Sequence, residues 1–272
     1  MKKQKKMAVV NDFSGFGRCS LTVAIPIISA MKIQCCAVPT AIFSNHTGYP
    51  DYFFDDYTNK MQAYYEKWEK LGLQFDGIYT GFLGSQKQAE IVGDFISRFS
   101  GSDTIVTVDP VMGDNGITYA TVDKALCRQI KKLLPFSHII TPNLTEACIL
   151  TDSDYHDVCT ERELTVLSEK LHTLGAKNVI ITGIACDDKI GNFVSTGTDT
   201  CLLWFSKSGT AHAGTGDVFA SVIAADAVNG VPLEQSVKKA ADFVAKAVAL
   251  SDEMKIPEQD GVCFEEILDL LM

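Results

Sequence analysis

Residues 105–141 read IVTVDPVMGDNGITYATVDKALCRQIKKLLPFSHIIT. The segment opens with a run of β-branched residues, continues through a polar loop with glycines and carboxylates, and then alternates apolar and polar residues at helical spacing. β-Branched runs favour strands, and apolar residues three or four positions apart favour a helix. We therefore predict a strand at 105–108, a helix at 122–134 and a second strand at 138–141.

The same alternation extends in both directions along the 272 residues. Further strands are predicted at 7–10, 34–43, 77–80 and 179–182, a hairpin at 193–205, and helices at 19–31, 59–71, 87–99, 160–174, 216–228, 233–250 and 264–271. Strands that alternate with helices of ten or more residues indicate βαβ units and a mostly parallel sheet. We expect one α/β domain over 1–272, with three α/β/α layers and a basic leader at 1–6. Ligands of such sheets bind beyond the carboxyl ends of the strands, so the loops there are the places to seek chemistry.

Composition limits the classes of function. The net charge is −10, which disfavours nucleic acid and anionic membranes as partners. The nine cysteines include no CxxC pair, which indicates free thiols in a reducing cytoplasm rather than a zinc site. The lysine-rich start is not followed by the ~7–15 apolar residues of a signal peptide, and no run approaches the ~18 residues of a membrane span. We expect a cytoplasmic protein.

The segment AGTGD at 213–217 precedes a small, apolar helical pattern. Glycines let successive backbone amides point into one cavity, and a helix start adds free donors and a positive dipole end. Gly214, Thr215 and Gly216 are therefore predicted to form an anion hole. Asp217 would stand beside it as a general base that deprotonates an attacking hydroxyl. The alternative is a plain turn in which Asp217 only complements the helix dipole.

Two loops in the middle of the chain carry oxygen ligands. In DPVMGDNG at 109–116, Asp109 and Asp114 could hold Mg²⁺ or a monovalent ion directly or through water. A strand-to-helix loop with solvated acids is the alternative. In TPNLTE at 141–146, Asn143 can cap the following helix, and Glu146, one turn further on, could hold a metal-bound water.

Two loops in the first fifth of the chain suggest a substrate site. In FSNHTGY at 43–49, aromatic rings could stack on a flat heteroaromatic ring and Ser44 or Thr47 could hydrogen-bond it; a polar loop with one aromatic anchor is the alternative. The segment NDFSGFGRCS at 11–20 lacks the third glycine of a dinucleotide fingerprint, and no acidic residue ends the second strand. This disfavours a nicotinamide-dependent oxidoreductase, and we interpret 11–20 as a substrate loop.

Taken together, these motifs resemble the ribokinase-like superfamily and, within it, the pyridoxal kinases. The resemblance runs from about residue 7 to 250 and is carried in order by FSNHTGY at 43–49, GFLGS at 81–85, DPVMGDNG at 109–116, PNLTEA at 142–147 and GTGDVFAS at 214–221. FSNHTGY separates pyridoxal kinases from sugar kinases. The resemblance implies a homodimer that phosphorylates the 5'-hydroxymethyl group of pyridoxal, pyridoxine or pyridoxamine with ATP, Mg²⁺ and a monovalent cation, K⁺ or Na⁺.

The resemblance also implies a role for each matching residue. Asp217 matches the catalytic base, and Gly214, Thr215 and Gly216 match the anion hole. The positions that handle ATP and ions are matched by Asp109, Asp114, Thr141, Asn143, Glu146 and Thr182, with Asp109, Asp114 and Glu146 at the metal. The positions that contact the substrate are matched by Asp12, Ser14, Phe43, Thr47, Gly48, Phe82 and Asp217. Phe82 stands where many members carry Tyr.

The chain departs from the pyridoxal kinases at two places. Asp12 lies where the family often has a Ser that contacts the pyridine ring, and the segment 206–212 is short for a lid over ATP. The stretch from Asp12 to Gly15 also resembles the hydroxymethylpyrimidine kinases of thiamin synthesis, although those typically place Cys where this chain has Asp217. A kinase for hydroxymethylpyrimidine or another small alcohol therefore stays open. A non-catalytic binder of pyridoxal phosphate or a nucleotide is the alternative of another class.

Overall fold

The structure is a computed structural model that describes residues 3–157 and 159–272. The strands are β1 (Lys6–Phe16), β2 (Gln34–Asn45), β3 (Phe54–Asp56), β4 (Gly77–Thr80), β5 (Ile105–Val108), β6 (Gly113–Asp114), β7 (Ile117–Thr118), β8 (Ile139–Ile140), β9 (Val179–Cys186), β10 (Lys189–Ser195) and β11 (Thr200–Ser206). The α-helices are α1 (Ser20–Ala30), α2 (Thr58–Lys70), α3 (Gln86–Phe99), α4 (Lys124–Lys131), α5 (Leu144–Thr151), α6 (Glu161–Thr173), α7 (Thr215–Asn229) and α8 (Leu233–Glu253). Turns of 3₁₀ helix lie at Leu134–Phe136, Glu258–Asp260 and Glu265–Leu271.

The central sheet has the strand order β11-β10-β9-β8-β5-β4-β1-β2-β3. The pairs β1–β2, β1–β4, β5–β8 and β8–β9 are parallel, whereas β3, β10 and β11 pair antiparallel with their neighbours. Helices flank the sheet. The predicted α/β fold class with a mostly parallel central sheet is therefore confirmed.

The chain divides into two compact units, and the prediction of a single domain stays a prediction. Unit 1 comprises the residues up to Gly81, Phe99–Ile105 and Ser208–Met272; unit 2 comprises Phe82–Arg98 and Val106–Lys207. Of the predicted basic leader at 1–6, Met1 and Lys2 lie outside the described residues, and Lys6 already belongs to β1.

Unit 1 is built around the apolar strand β1. Residues 8–10 of β1 are completely buried, and α1 and α7 pack together. Most of α7 consists of alanine, valine and isoleucine, and these small side chains are buried along most of the helix. The core of unit 1 therefore fixes where α7 begins, which is where AGTGD lies.

The segment 11–20 is not the loop that we predicted. β1 continues to Phe16 and pairs with β2 as far as Asn45, with a shift of register between Asn11 and Phe13. Along this extension Asp12 and Ser14 are buried while Phe13 is exposed, because side chains alternate across a strand. Because residues 12 and 14 are polar, a prediction based on apolar runs ended this strand at residue 10.

Unit 2 carries β8–β11, most of β5, and the helices α4–α6. A capping box opens α6, where the side chains of Thr160 and Glu163 each accept a hydrogen bond from the backbone amide of the other. The predicted hairpin is confirmed, as β10 and β11 pair from Lys189 to Ser206. Pro135 lies in a short 3₁₀ turn after α4, which ends earlier than predicted.

Candidate active site

The three residues of the predicted anion hole lie at the start of α7 in unit 1. Gly214 is its N-cap with φ +76, a left-handed conformation that favours glycine. A Cβ on Gly214 would overlap with the backbone oxygen of Arg18, so the two backbone segments lie too close together for any residue that has a side chain. The first amides of a helix have no partner within it, and Thr215 and Gly216 supply them here. This arrangement can bind an anion.

Asp217 lies in the first turn of the same helix and is half-buried. Burial raises the pKa of its carboxyl to about 6 on balance: the charge of Asp12 adds to this effect, and hydrogen bonds from the Ser20 backbone amide and the Asn11 side chain oppose it. The Asn11 amide donates to Asp217 Oδ1 over 3.4 Å. A carboxylate with a pKa near neutrality suits a general base.

Asp12 and Ser14 lie together in the extension of β1. Asp12 is 5% exposed, and burial raises the pKa of its carboxyl above the ordinary value. Its Oδ2 accepts a hydrogen bond from the Ser14 hydroxyl at 2.9 Å, and its Oδ1 accepts one from the Ser20 hydroxyl at 2.5 Å. Two acidic side chains, Asp12 and Asp217, are thus brought into one polar cluster.

The predicted substrate motif at 43–49 begins inside the core and ends at the surface. Phe43 is buried against the rings of Tyr52 and Phe54, with centroids 5.7 and 4.8 Å away, whereas Thr47 and Gly48 are exposed in a turn after β2. The remaining substrate prediction, Phe82, belongs to unit 2 and is half-buried.

The motif is anchored to the C-terminal segment of unit 1. His46 Nε2 lies 2.6 Å from the backbone oxygen of Gln259, and the Tyr49 hydroxyl donates to Asp260 Oδ1 at 2.6 Å. A cavity of about 570 Å³ lies beside this anchor, lined by His46, Gly48, residues 211–213 and residues 257–259. No sequence motif predicted these contacts.

His212 and Asp252 form a contact that no sequence motif predicted. His212 Nε2 lies 3.0 Å from Asp252 Oδ1, and the Thr210 amide and hydroxyl donate to the same carboxylate. These hydrogen bonds, those from Thr210 first, lower the pKa of Asp252 to about 2. The contact ties the segment that leads into Gly214 to α8. Its only signal in the sequence was a histidine two residues before the GTGD motif.

Unit 2 brings together most of the residues predicted to handle ATP and ions. The Thr141 hydroxyl donates to Asp109 Oδ1 at 2.9 Å, and Asn143 forms an isolated bridge with Thr182. Asn143 and Glu146 form a reciprocal capping box at the start of α5. The predicted capping role of Asn143 is therefore confirmed. Asp109 follows β5, Thr141 and Asn143 follow β8, and Thr182 lies in the middle of β9.

Glu146 is the most perturbed carboxyl of unit 2. It is 5% exposed and accepts hydrogen bonds from the backbone amides of Met112 at 3.0 Å and Asn143 at 2.8 Å. Burial, and then the charge of Asp109, raise its pKa well above the usual range. A buried carboxyl whose pKa is raised by the charge of a neighbouring acid favours a nearby cation.

Asp114 does not join this pair. It is exposed in the short β6–β7 hairpin, and both of its oxygens accept hydrogen bonds from Asn115. Among residues 3–157 and 159–272, no three His, Cys, Asp or Glu side chains are arranged to hold a metal ion. Asp109 and Glu146 thus fit a cation that is held partly through water, while the predicted set of three carboxylates is not assembled.

Comparison with known proteins identifies the family. The phosphomethylpyrimidine kinase family matches residues 25–262. A pyridoxine/pyridoxal/pyridoxamine kinase of Bordetella avium is 28% identical over 90% of this chain and 86% of its own length. A Bacteroides thetaiotaomicron protein described as a phosphomethylpyrimidine kinase and crystallised with pyridoxal is 37% identical, with a TM-score of 0.93 over 99% of this chain and 96% of its own.

The pyridoxal kinase of Lactobacillus plantarum is 27% identical, with a TM-score of 0.92 over 99% of this chain and 97% of its own. Fold and similarity together define a kinase with the ribokinase-like fold. The chain belongs to the phosphomethylpyrimidine kinase family. Within the described residues, no helix is both long and apolar enough to span a membrane.

Proposed function

We propose that this protein transfers the γ-phosphate of ATP to the 5'-hydroxymethyl group of pyridoxal, pyridoxine or pyridoxamine. The observation that carries the proposal is Asp217, whose carboxyl has a pKa of about 6 and lies in the first turn of a helix that begins with Gly214 and free amides. The names of the Bordetella avium and Lactobacillus plantarum relatives, and the pyridoxal in the Bacteroides crystal, support this choice of alcohol.

In the proposed reaction, Asp217 accepts the proton of the hydroxymethyl group as its oxygen attacks the γ-phosphorus. The bond from phosphorus to the bridging oxygen breaks, and ADP leaves. Amides of Thr215 and Gly216 stabilise the charge on the transferring group, which is the main task of a protein in phosphoryl transfer. A bound Mg²⁺ would neutralise phosphate charge, with Asp109 and Glu146 as its proposed holders.

The other predicted site residues complete the proposal. Asp114, Thr141, Asn143 and Thr182 are proposed to handle ATP and a monovalent cation, K⁺ or Na⁺. Asp12, Ser14, Phe43, Thr47, Gly48 and Phe82 are proposed to shape the substrate site.

Hydroxymethylpyrimidine is the second candidate substrate. The family that matches residues 25–262 is named for a pyrimidine, and the buried acid Asp12 replaces the serine that pyridoxal kinases often carry. Both candidates present a hydroxymethyl group on a flat nitrogen heterocycle, so the same base and anion hole would serve either one.

We further propose a cytoplasmic homodimer. Five large apolar side chains around β1, β2 and β3 are at least 38% exposed, namely Phe13, Phe16, Ile42, Phe53 and Phe54. Exposed apolar clusters mark interaction surfaces, and a second copy of the chain would cover this one. All nine cysteines are free, which suits a reducing compartment. Light scattering after size exclusion tests the dimer, and a mass of one chain would contradict it.

The experiment that tests the function measures ADP release with pyridoxal, pyridoxine, pyridoxamine and hydroxymethylpyrimidine in turn. We expect a vitamin B6 alcohol to give the highest kcat/KM. A higher kcat/KM with hydroxymethylpyrimidine would establish the second candidate. Binding of pyridoxal phosphate without ADP release from any alcohol would indicate a non-catalytic binder.

A further inference from the structure

Ser20 connects the two acids of the polar cluster in unit 1. Its hydroxyl donates to Asp12 Oδ1 at 2.5 Å, and its backbone amide donates to the carboxylate of Asp217. The other oxygen of Asp12 accepts from the Ser14 hydroxyl. Both oxygens of the Asp12 carboxylate are therefore engaged by hydroxyls of the chain itself, and one residue bridges Asp12 and Asp217.

The backbone of Ser20 has an unusual conformation. Its φ is +53, in the left-handed region, although it is the first residue of α1 and follows an extended Cys19. A residue with a Cβ adopts this region only at a cost, so a local contact has to hold it there. The hydrogen bond from its hydroxyl to the buried Asp12 is such a contact.

We propose that Asp12 and Ser20 are positioning residues for the general base. Asp12 holds Ser20 in the left-handed conformation, and that conformation aims the Ser20 amide at Asp217, which fixes the direction of its carboxylate. The inference rests on the role of Asp217 in the proposed function. It gives Asp12 a task that requires no contact with the substrate, and it assigns a role to Ser20, which no sequence motif singled out.

Asp12 acts on Asp217 in two opposite ways. Through Ser20 it maintains a hydrogen bond that favours the ionised base, and through its own charge it disfavours that ion. Cys19 also lies near Asp217, and burial, with both carboxylates adding, raises the pKa of that thiol so far that it stays neutral. Burial raises the pKa of Asp12, and His46 is one of the groups that oppose this effect.

Three variants separate these effects. Ser20→Ala keeps the amide but loses the hydroxyl and disfavours a positive φ, whereas Ser20→Gly also loses the hydroxyl but adopts a positive φ freely. Asp12→Asn keeps an oxygen that can accept from Ser20 and removes the charge. Ser29→Ala, on the exposed side of the same helix, is the control. Thermal melting by circular dichroism checks that each variant is folded.

The primary measurement is the pKa of Asp217, followed by NMR of ¹³C-labelled aspartate carboxyls and assigned by the signal that Asp217→Asn removes. We expect Ser20→Ala to raise this pKa by about one unit, the value of a lost hydrogen bond to a charged group. Ser20→Gly should leave the pKa near the wild-type value, and Asp12→Asn should lower it. In each variant the acid limb of the pH profile of kcat should shift in the same direction as the pKa of Asp217. The kcat of Ser20→Ala should be lower by about ten- to a hundredfold.

The inference is overturned if Ser20→Ala and Ser20→Gly give the same Asp217 pKa, or if none of the three variants moves it. Since the titration uses no substrate, it is independent of the proposed function. A wild-type protein that phosphorylates none of the alcohols would refute the function, while the order of the pKa values would still decide the inference.

Discussion

Gly214 lies directly against the backbone oxygen of Arg18, at a distance that leaves no room for a Cβ. Gly230, at the other end of α7, has nearly the same φ, +79 against +76, but nothing lies within 4 Å of where its Cβ would be. The two glycines thus adopt the same left-handed conformation in different surroundings. They form a matched pair for measuring what the close approach at Gly214 contributes.

We predict that Gly230→Ala costs ~1–2 kcal/mol of unfolding free energy, the usual cost of a left-handed residue with a Cβ. Gly214→Ala should cost a further ~1–3 kcal/mol from overpacking and should also impair ATP-dependent turnover. Urea unfolding and steady-state ADP release measure both quantities. Equal losses of stability in the two variants would show that Arg18 moves away at no cost.

Asp217→Asn should lower kcat by about 10²–10⁴-fold, because the amide does not accept the proton of the attacking hydroxyl. The affinity for ATP, measured by calorimetry, should stay within a few-fold. The variant should melt no lower than the wild type at pH 8, since burial disfavours the charge that the substitution removes. If kcat survives, Asp217 is only a helix cap; if ATP affinity and melting temperature both collapse, its role is structural.

The pKa of about 6 for Asp217 also sets a pH dependence. A base works when it is deprotonated, so kcat/KM should fall tenfold per pH unit below about pH 6 and stay level above it. The effect on stability has the opposite sign: because the folded pKa is raised, the contribution of this group is fully present below its unfolded pKa and is lost as the pH rises through about 6. A pH profile with its acid limb near 4 would contradict the burial of Asp217.

Chelation of metal by EDTA should abolish activity, and added Mg²⁺ should restore it. Asp109→Asn should raise the Mg²⁺ concentration needed for half-maximal rate more than Asp114→Ala does, because Asp109 interacts electrostatically with Glu146 while Asp114 is exposed beside Asn115. Titration of Mg²⁺ at saturating ATP compares the two variants. Full activity in EDTA would end the kinase proposal.

Thr47→Val should raise the KM for the B6 alcohol and leave the KM for ATP unchanged. Loss of a hydrogen bond between Thr47 and the bound alcohol costs ~1–3 kcal/mol of binding free energy when the polar group of the alcohol is left buried and unpaired. Thr47→Ser keeps the hydroxyl and is the matched control, with a KM expected near that of the wild type. An impaired KM for ATP alone would place the 43–49 loop at the nucleotide instead.

Much of the fold was predictable because the parallel strands are short, apolar and bounded by turns. β4 and β5 begin and end at the predicted residues, Gly77–Thr80 and Ile105–Val108. β9 was predicted to stop at residue 182 but runs to Cys186, because it gains an antiparallel partner in β10. The glycine and aspartate residues at 183–192 disfavour a strand by local propensity. The pairing was therefore not predicted, because it depends on a neighbouring strand.

The candidate site was predictable where a motif is compact, as in the helix cap that Asn143 forms at the start of α5. It was not predictable where partners are far apart in sequence. His212 meets Asp252, and Ser20 reaches Asp217, only after the chain has folded, and no spacing rule links such positions. The position of Asp114 outside the Asp109 and Glu146 pair likewise depends on the β6–β7 hairpin.

Unit 1 is assembled from three separate stretches of chain, the last of which begins at Ser208. Its proposed base, Asp217, bonds Asn11 across 206 positions of sequence. During synthesis the residues up to Gly81 must therefore wait for the stretch that begins at Ser208 to leave the ribosome before this unit can close. Pairing over so long a separation slows folding and leaves apolar surface exposed meanwhile. The Val106–Lys207 stretch of unit 2 is continuous, so it does not depend on a partner segment that is synthesised so much later.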